Sequence, residues 1–274
     1  MNKLLTNIVV VVVVYKIRVT NVKTYDLLES LSASGLSVLF YDNSPDSFEG
    51  NLPEGFLYVH NPRNPGISDA YNYGYDLCLS MDKKWLLLLD QDTNLDESFF
   101  DNLDTEVSFI GGNASYAAIL PFVYSVESRL ISPCYVGRMG RAKVVNSRVF
   151  DSRKRVLSVN SGLLVSVDFL RDINGFSPDY RLDMLDYWFF SMIYKKGKKV
   201  LFSKSNIVHE LSVLSDDYMS ISRYDGLLIA EKRYFKSEGL LILYYFRLVF
   251  RCLKHIQKKR YRFAFVTFSF ILKA

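Results

Sequence analysis

The apolar run Ile8–Val14 near the start of the chain is β-branched throughout. Such a run suits a strand buried on both faces of a parallel sheet. With it, four strands are predicted: Asn7–Val14, Leu36–Tyr41, Phe56–His60 and Trp85–Leu89. Between and after them, apolar positions recur at helical spacing over Asn21–Ala33, Ser68–Met81 and Asp96–Phe109. Strands and helices alternating in this order predict an α/β fold, a doubly wound, mostly parallel sheet with helices on both faces. Ligands bind such sheets at the carboxyl ends of the strands.

The pattern changes after Pro121. Residues 122–160 read as irregular segments and short strands. A helix is predicted over Asp183–Lys195, a strand over Lys199–Phe202 and a further helix over residues 216–237. There is no internal repeat and no low-complexity linker. Residues 1–215 therefore read as one domain, with halves at about 1–121 and 122–215, and residues 216–274 as a helical C-terminal region.

That region has its own pattern. Leu240–Phe250 is apolar and aromatic apart from Arg247, Arg251–Arg262 is basic, and Phe263–Leu272 is a second apolar run. Neither run reaches the roughly 20 residues of a membrane-spanning helix. Basic helices with aromatic apolar faces suit the anionic inner face of a membrane. Helices packed on the rest of the protein, or an oligomer contact, are the alternative.

Composition narrows the picture. Of the 274 residues, 49% are hydrophobic, which supports a packed core rather than wholesale disorder. Cys78, Cys134 and Cys252 are isolated, so neither a disulfide framework nor a zinc ribbon is expected, and a reducing cytoplasm fits. Lys3 precedes the first apolar run, but the run is short and no small-residue cleavage site follows, so a strand is expected there rather than a signal peptide. The net charge is +5, yet nine of the 34 basic residues follow Phe235 against one acid, Glu238. The main domain is slightly acidic, which disfavours nucleic-acid binding by it.

The predicted strand ends carry polar clusters: Asp42-Asn43-Ser44, then His60 to Gly66, then Asp90-Gln91-Asp92-Thr93. Ordinary turn chemistry accounts for Asp42 or Asn64 taken singly. Asp90 and Asp92 say more. Alternate residues of an extended segment project to one side, so both carboxylates can face one hard cation, Mg2+ or Mn2+. The alternative is an acidic cap on the helix predicted to start near Asp96. Neither glycine-rich phosphate-binding fingerprint occurs, which disfavours dehydrogenases and P-loop enzymes. In the second half, Asp183 and Asp186 are three apart, hence on one face of the predicted helix. Either could be a general base, or both could complement the helix dipole. His209 follows a strand-like run and could be a ligand or a structural residue.

Together these residues resemble glycosyltransferase family 2, which has the GT-A fold. The matching order is Tyr15, Asp42-Asn43-Ser44, Asn64-x-Gly66 with Ala70, Asn72-x-Gly74, Asp90-x-Asp92, Asn160-Ser161-Gly162, Gly175-Phe176-Ser177, Leu185-Asp186-Tyr187-Trp188 and His209-x-Leu211-Ser212. It covers roughly residues 7–212, and its Asp-Gln-Asp and Leu-Asp-Tyr-Trp forms look most like the rhamnosyltransferase branch of bacterial surface-polysaccharide and O-antigen synthesis. Three positions depart from the family: Trp188 and Met192 stand where many members carry an acid and an arginine, and Leu185-Asp186 stands where a Glu-Asp pair is expected.

The resemblance implies an inverting, metal-dependent enzyme with a nucleotide-diphosphate sugar as donor. The first half would hold the donor and the second the acceptor. Asp42 and Tyr15 would meet the nucleobase, Asn64 and Gly66 would belong to the donor site, and Asp90 would sit near the ribose. Asp92 would bind Mg2+ or Mn2+, His209 would complete the metal or diphosphate contacts, and Asp186 would be the catalytic base with Asp183 as its rival. The implied donor is dTDP-rhamnose, with UDP-hexoses second. The implied acceptor is a lipid-linked glycan, reached from the cytoplasmic face of the plasma membrane. A nucleotidyltransferase would bring a glycine-rich basic loop after the first strand, where Tyr15-Lys16-Ile17-Arg18 has no glycine. A non-catalytic sugar-nucleotide or glycan binder would not need paired carboxylates and a base.

Overall fold

A computed structural model describes residues 3–47, 51–136, 142–145, 155–209 and 219–273. Strand β1 (Ile8–Val14) is buried along its whole length. It pairs in parallel with β2 (Ser37–Asp42) on one side and, across a helical connection, with β4 (Trp85–Asp90) on the other, while β3 (Phe56–His60) extends the sheet beyond β2. The sheet continues through β5 (Thr93–Asn94), β6 (Tyr116–Tyr124), β7 (Leu130–Ser132), β11 (Leu163–Ser166) and β12 (Lys199–His209) in the order β3-β2-β1-β4-β11-β6-β12-β5, with β7 on β6. Strands β1 to β4, β6 and β12 share a direction, and β5, β7 and β11 oppose it. The expected mostly parallel α/β sheet is therefore present. A small second sheet joins β8 (Cys134–Val136), β9 (Ala142–Val144) and β10 (Val156–Leu157).

The alternation of β1 divides the core. Val9, Val11 and Val13 enter one cluster; Ile8, Val10, Val12 and Val14 enter the other. The first face is covered by α2 (Ile67–Ser80), α4 (Val167–Ile173) and α5 (Leu185–Lys195), through Tyr71, Phe169 and Phe189. The second is covered by α1 (Tyr25–Ser32) and α3 (Phe99–Ile110), through Leu28, Phe99 and Leu103. Each such side chain, fully buried, is worth roughly 1.5–3 kcal/mol. Helix α2 lies so close to the sheet that a Cβ on Gly74 would meet Leu86 Cδ1 at 3.0 Å and Val11 Cβ at 3.2 Å.

Several boundaries differ from expectation, among them the start of the helix expected from residue 216, which is Ile221. Helix α1 starts at Tyr25 rather than Asn21, because Val19–Asn21 forms a 3-10 turn and Val22 is extended. Helix α3 starts at Phe99 rather than Asp96, because Asp96–Phe99 forms a turn closed by Phe99 N donating to Asp96 O at 3.1 Å. Helix α5 starts at Leu185, because Met184 is left-handed at φ 65°. Asp183 is thus outside the helix, and it does not share a helical face with Asp186 as the spacing predicted. Strand β12 runs on to His209 instead of ending at Phe202. The polar stretch is carried through a register shift between Phe202 and Asn206, where buried Glu106 accepts hydrogen bonds from Ser203 Oγ (3.0 Å) and Lys204 N (2.7 Å).

Helices α6 (Ile221–Ser237), α7 (Leu241–Gln257) and α8 (Tyr261–Leu272) enclose a separate small core of Tyr224, Leu228, Phe235, Tyr244 and Leu248. Ion pairs Arg223–Asp183, Arg233–Asp179 and Lys195–Glu238 tie α6 and its end to the second half. Among the described residues, no helix is long and apolar enough to cross a membrane. The expected boundary at residues 215 and 216, and Leu211-Ser212, lie outside the described residues.

Candidate functional site

The pairing register puts the polar strand ends side by side. Asp42 is opposite Val14, His60 is opposite Asp42, and Asp90 is opposite Val13. Tyr15, just past β1, donates its backbone N–H to Gln91 Oε1 at 2.7 Å, so the middle residue of Asp90-Gln91-Asp92 fastens the end of β1 to the end of β4. An open cleft of about 710 Å³ sits at this edge, with Lys16, Arg18, Asp42 and Ser44 in its walls. Asp42 is buried; its Oδ1 accepts from Ser44 N (2.8 Å) and its Oδ2 from the Tyr58 hydroxyl (2.7 Å). Tyr15 is exposed, and the Lys16 ammonium lies 5.0 Å from its ring centroid.

Asn64 and Gly66 lie in the loop that feeds α2, and Arg181 holds that loop. Its guanidinium donates to Asn64 O and Pro65 O, both at 2.6 Å, while its carbonyl accepts from Ile67 N at 2.7 Å. Gly66 adopts φ 107°, and a Cβ there would stand 2.2 Å from Arg181 O. The glycine is required by both conformation and space. Asn72 makes a second clasp between the halves: its Nδ2 donates to Phe176 O (2.8 Å) and its Oδ1 accepts from Phe176 N (2.7 Å).

Asp90, Asp92 and His209 come together. Short strand β5 pairs antiparallel with the end of β12, setting His209 opposite Thr93. His209 Nε2 then lies 2.9 Å from Asp90 Oδ2 and 3.6 Å from Asp92 Oδ1. One ligand atom from each of the three side chains lies within 4.8 Å of the others. His209 is buried and the carboxylates are half-buried. Two carboxylate oxygens and an imidazole nitrogen in one half-buried group fit a divalent cation. The helix-cap alternative for Asp90 and Asp92 is excluded by position, since β5 separates them from α3.

Asp186 opens α5 and accepts a hydrogen bond from Tyr187 N at 2.9 Å. Burial pushes its carboxyl up to about 6, against the lowering effect of backbone amides, and the charge of Asp183 adds to the rise. Asp183 itself is engaged by the Arg223 guanidinium through both oxygens, at 2.9 and 3.2 Å. Tyr71 of α2 feels the charge of both acidic centres. Its ring is fully buried and its hydroxyl has no hydrogen-bond partner. Its phenol is held well above the ordinary range, first by burial and then by the negative charges of Asp90 and Asp186.

Several contributors had no signal of their own in the sequence. Ser161, fully buried, accepts from Asp90 N at 3.0 Å and hydrogen-bonds Thr93 Oγ1, so it sets the backbone of the acidic motif. The Asn160-Ser161-Gly162 motif points to the place but not to this contact. Gly162 is left-handed and packs against Ile207 and Pro121 where a Cβ would clash. Arg181 and Tyr71 belong to no motif that the residues alone reveal.

No protein-family model matches the sequence, and no curated protein matches it. Solved structures do. The chain is similar to S. aureus TarS 1-349, with a TM-score of 0.50 at 11% identity over 84% of this chain and 72% of that one. It is also similar to S. aureus TarS 1-349 in complex with UDP-GlcNAc, with a TM-score of 0.52 at 14% identity over 83% of this chain and 65% of that one. At these identities the likeness is one of fold, and it agrees with the GT-A-type sheet expected from the sequence.

Proposed function

We propose that this protein is an inverting glycosyltransferase, moving a sugar from a nucleoside diphosphate to a hydroxyl of a glycan acceptor. The observation that carries the reading is the convergence of Asp90, Asp92 and His209 at the carboxyl edge of the sheet, with the raised carboxyl of Asp186 at the start of α5 as the candidate base. Asp92 and His209, with Asp90 toward the ribose, would hold Mg2+ or Mn2+. When bound, such an ion neutralises charge on the departing diphosphate.

The chain's own residues do the rest. The cleft beside Asp42 takes the nucleoside, with Lys16 and Arg18 as basic walls and exposed Tyr15 next to Lys16 in the chain. The loop of Asn64 and Gly66, clamped by Arg181, keeps the start of α2 against the donor. Asp186 accepts the proton of the acceptor hydroxyl as that oxygen attacks the anomeric carbon, and the bond from that carbon to the diphosphate oxygen breaks. A base near 6 is deprotonated at neutral pH yet still basic enough to take a proton. Asp183, held by Arg223, is the poorer candidate. No covalent sugar–enzyme intermediate is needed, and the sugar inverts.

The donor is dTDP-rhamnose, with UDP-hexoses as the second choice, which the UDP-GlcNAc complex of TarS supports. Residues 1–215 form the catalytic unit. Residues 216–274 rest on the cytoplasmic face of the membrane, near a lipid-linked acceptor, or mediate oligomer contacts. Support comes from α7, whose Ile242, Phe246, Phe250 and Leu253 are exposed although its opposite face is packed. The test is incubation with labelled dTDP-rhamnose or UDP-hexose, Mn2+ and a bacterial glycolipid extract. Release of nucleoside diphosphate with label entering the glycolipid is expected; no release with any donor contradicts the reading.

A further inference from the structure

A cavity of about 240 Å³ opens between α6, α7 and α8, away from the acidic centre. Arg251, Lys254, His255, Lys258 and Arg260 line it together with Tyr224, and no carboxylate does. Positions 251, 254, 255 and 258 follow helical spacing, so one flank of α7 delivers three of these groups and its C-cap Lys258 the fourth. The volume is below that of pockets enclosing drug-sized organic ligands, roughly 300–1,000 Å³. It suits a small, strongly charged group.

The wall is pre-ordered. Arg251 is gripped by Glu231 through two hydrogen bonds, at 2.7 and 2.8 Å, which fixes its plane and offsets its charge. The Tyr224 hydroxyl is set by Thr267 Oγ1 (2.7 Å) and His255 Nε2 (3.1 Å). Beyond that offset pair, Lys254 and Lys258 bring two exposed ammonium groups to the rim. The rest of the lining is apolar, Met219, Leu227 and Phe263; cations converging on such a concavity make an anion receptor, and arginine with lysine is the usual set for phosphate. Basic pockets between helices take phosphate head groups in the same way.

We infer that this cavity binds a phosphate group, carried either by an anionic lipid or by a soluble phosphate. The inference rests on the cavity alone and stands whether or not the donor site has the role proposed above.

The test uses the full-length protein in EDTA, so that metal at the acidic centre plays no part. One arm measures binding to phosphatidylcholine vesicles with and without phosphatidylglycerol; the other titrates inorganic phosphate. Lys254→Ala/Lys258→Ala is compared with Lys259→Ala/Lys273→Ala, which removes the same charge outside the cavity. The cavity variant should lose about tenfold or more in affinity for whichever probe binds, the loss of a charged hydrogen-bond donor, and the control variant clearly less. Binding confined to anionic vesicles identifies a lipid phosphate, and binding of inorganic phosphate a soluble one. Absence of binding in both arms overturns the inference, as does equal loss in the two variants, which would reduce the effect to diffuse charge.

Discussion

His209 Nε2 lies 2.9 Å from Asp90 Oδ2, although 119 residues separate them. The contact exists because the two residues of β5 pair with the last residues of β12. The group that could hold a cation is therefore assembled from both halves of the chain. His209→Ala and Asp92→Ala should each weaken Mn2+ binding more than tenfold, measured by calorimetry or by the electron-spin signal of free Mn2+. Unchanged affinity in both variants would show that this group is not the cation site.

The pH dependence follows from Asp186. Its carboxyl is pushed up to about 6, and only the deprotonated form can take a proton. The transfer rate should rise with pH through about 6 and then level off. Asp186→Asn should lower kcat by at least about a thousandfold while nucleotide-sugar affinity stays within about threefold. Wild-type turnover in that variant would assign the base elsewhere.

Part of this site was legible in the sequence and part was not. Strands β1 to β4 announce themselves as runs buried on both faces, and the polar residues at their ends fall on one edge because parallel strands end together. From residue pattern alone His209 was a lone histidine, and only the family resemblance pointed to it as a ligand. Its partnership depends on β12 continuing through Ser203, Lys204 and Ser205, a polar stretch that reads as a strand end. Buried Glu106, from a distant helix, satisfies that stretch and so hides the continuation from any local pattern. The same holds for Asp183. Three-residue spacing suggests a shared helical face, but left-handed Met184 breaks the helix between them.

Tyr71→Phe separates stability from chemistry. The hydroxyl is buried without a partner, so its removal strands no other group and should change stability by less than about 1 kcal/mol. The charges of Asp90 and Asp186 both act on its phenol, so turnover should fall and the acid limb of the pH–rate profile should move. A large drop in melting temperature with unchanged kinetics would make Tyr71 purely a core residue.

Gly66→Ala should be costly. It combines φ 107° with a Cβ 2.2 Å from a backbone oxygen of Arg181, and neither atom can move without disturbing the clamp. A loss of about 2–4 kcal/mol is expected in denaturant unfolding, together with weaker donor binding. A neutral effect on stability would mean that the loop is not held as described.

The central claim is that the edge formed by Asp42, Asp90, Asp92 and His209 binds a nucleotide sugar with a divalent cation. Calorimetric titration of dTDP- and UDP-sugars, with and without Mn2+, tests it most directly. At least one nucleotide sugar should bind the wild-type protein tightly only when Mn2+ is present, and Asp92→Ala should abolish that dependence. No binding by any nucleotide sugar, or identical Mn2+-dependent binding in wild type and Asp92→Ala, would contradict the claim.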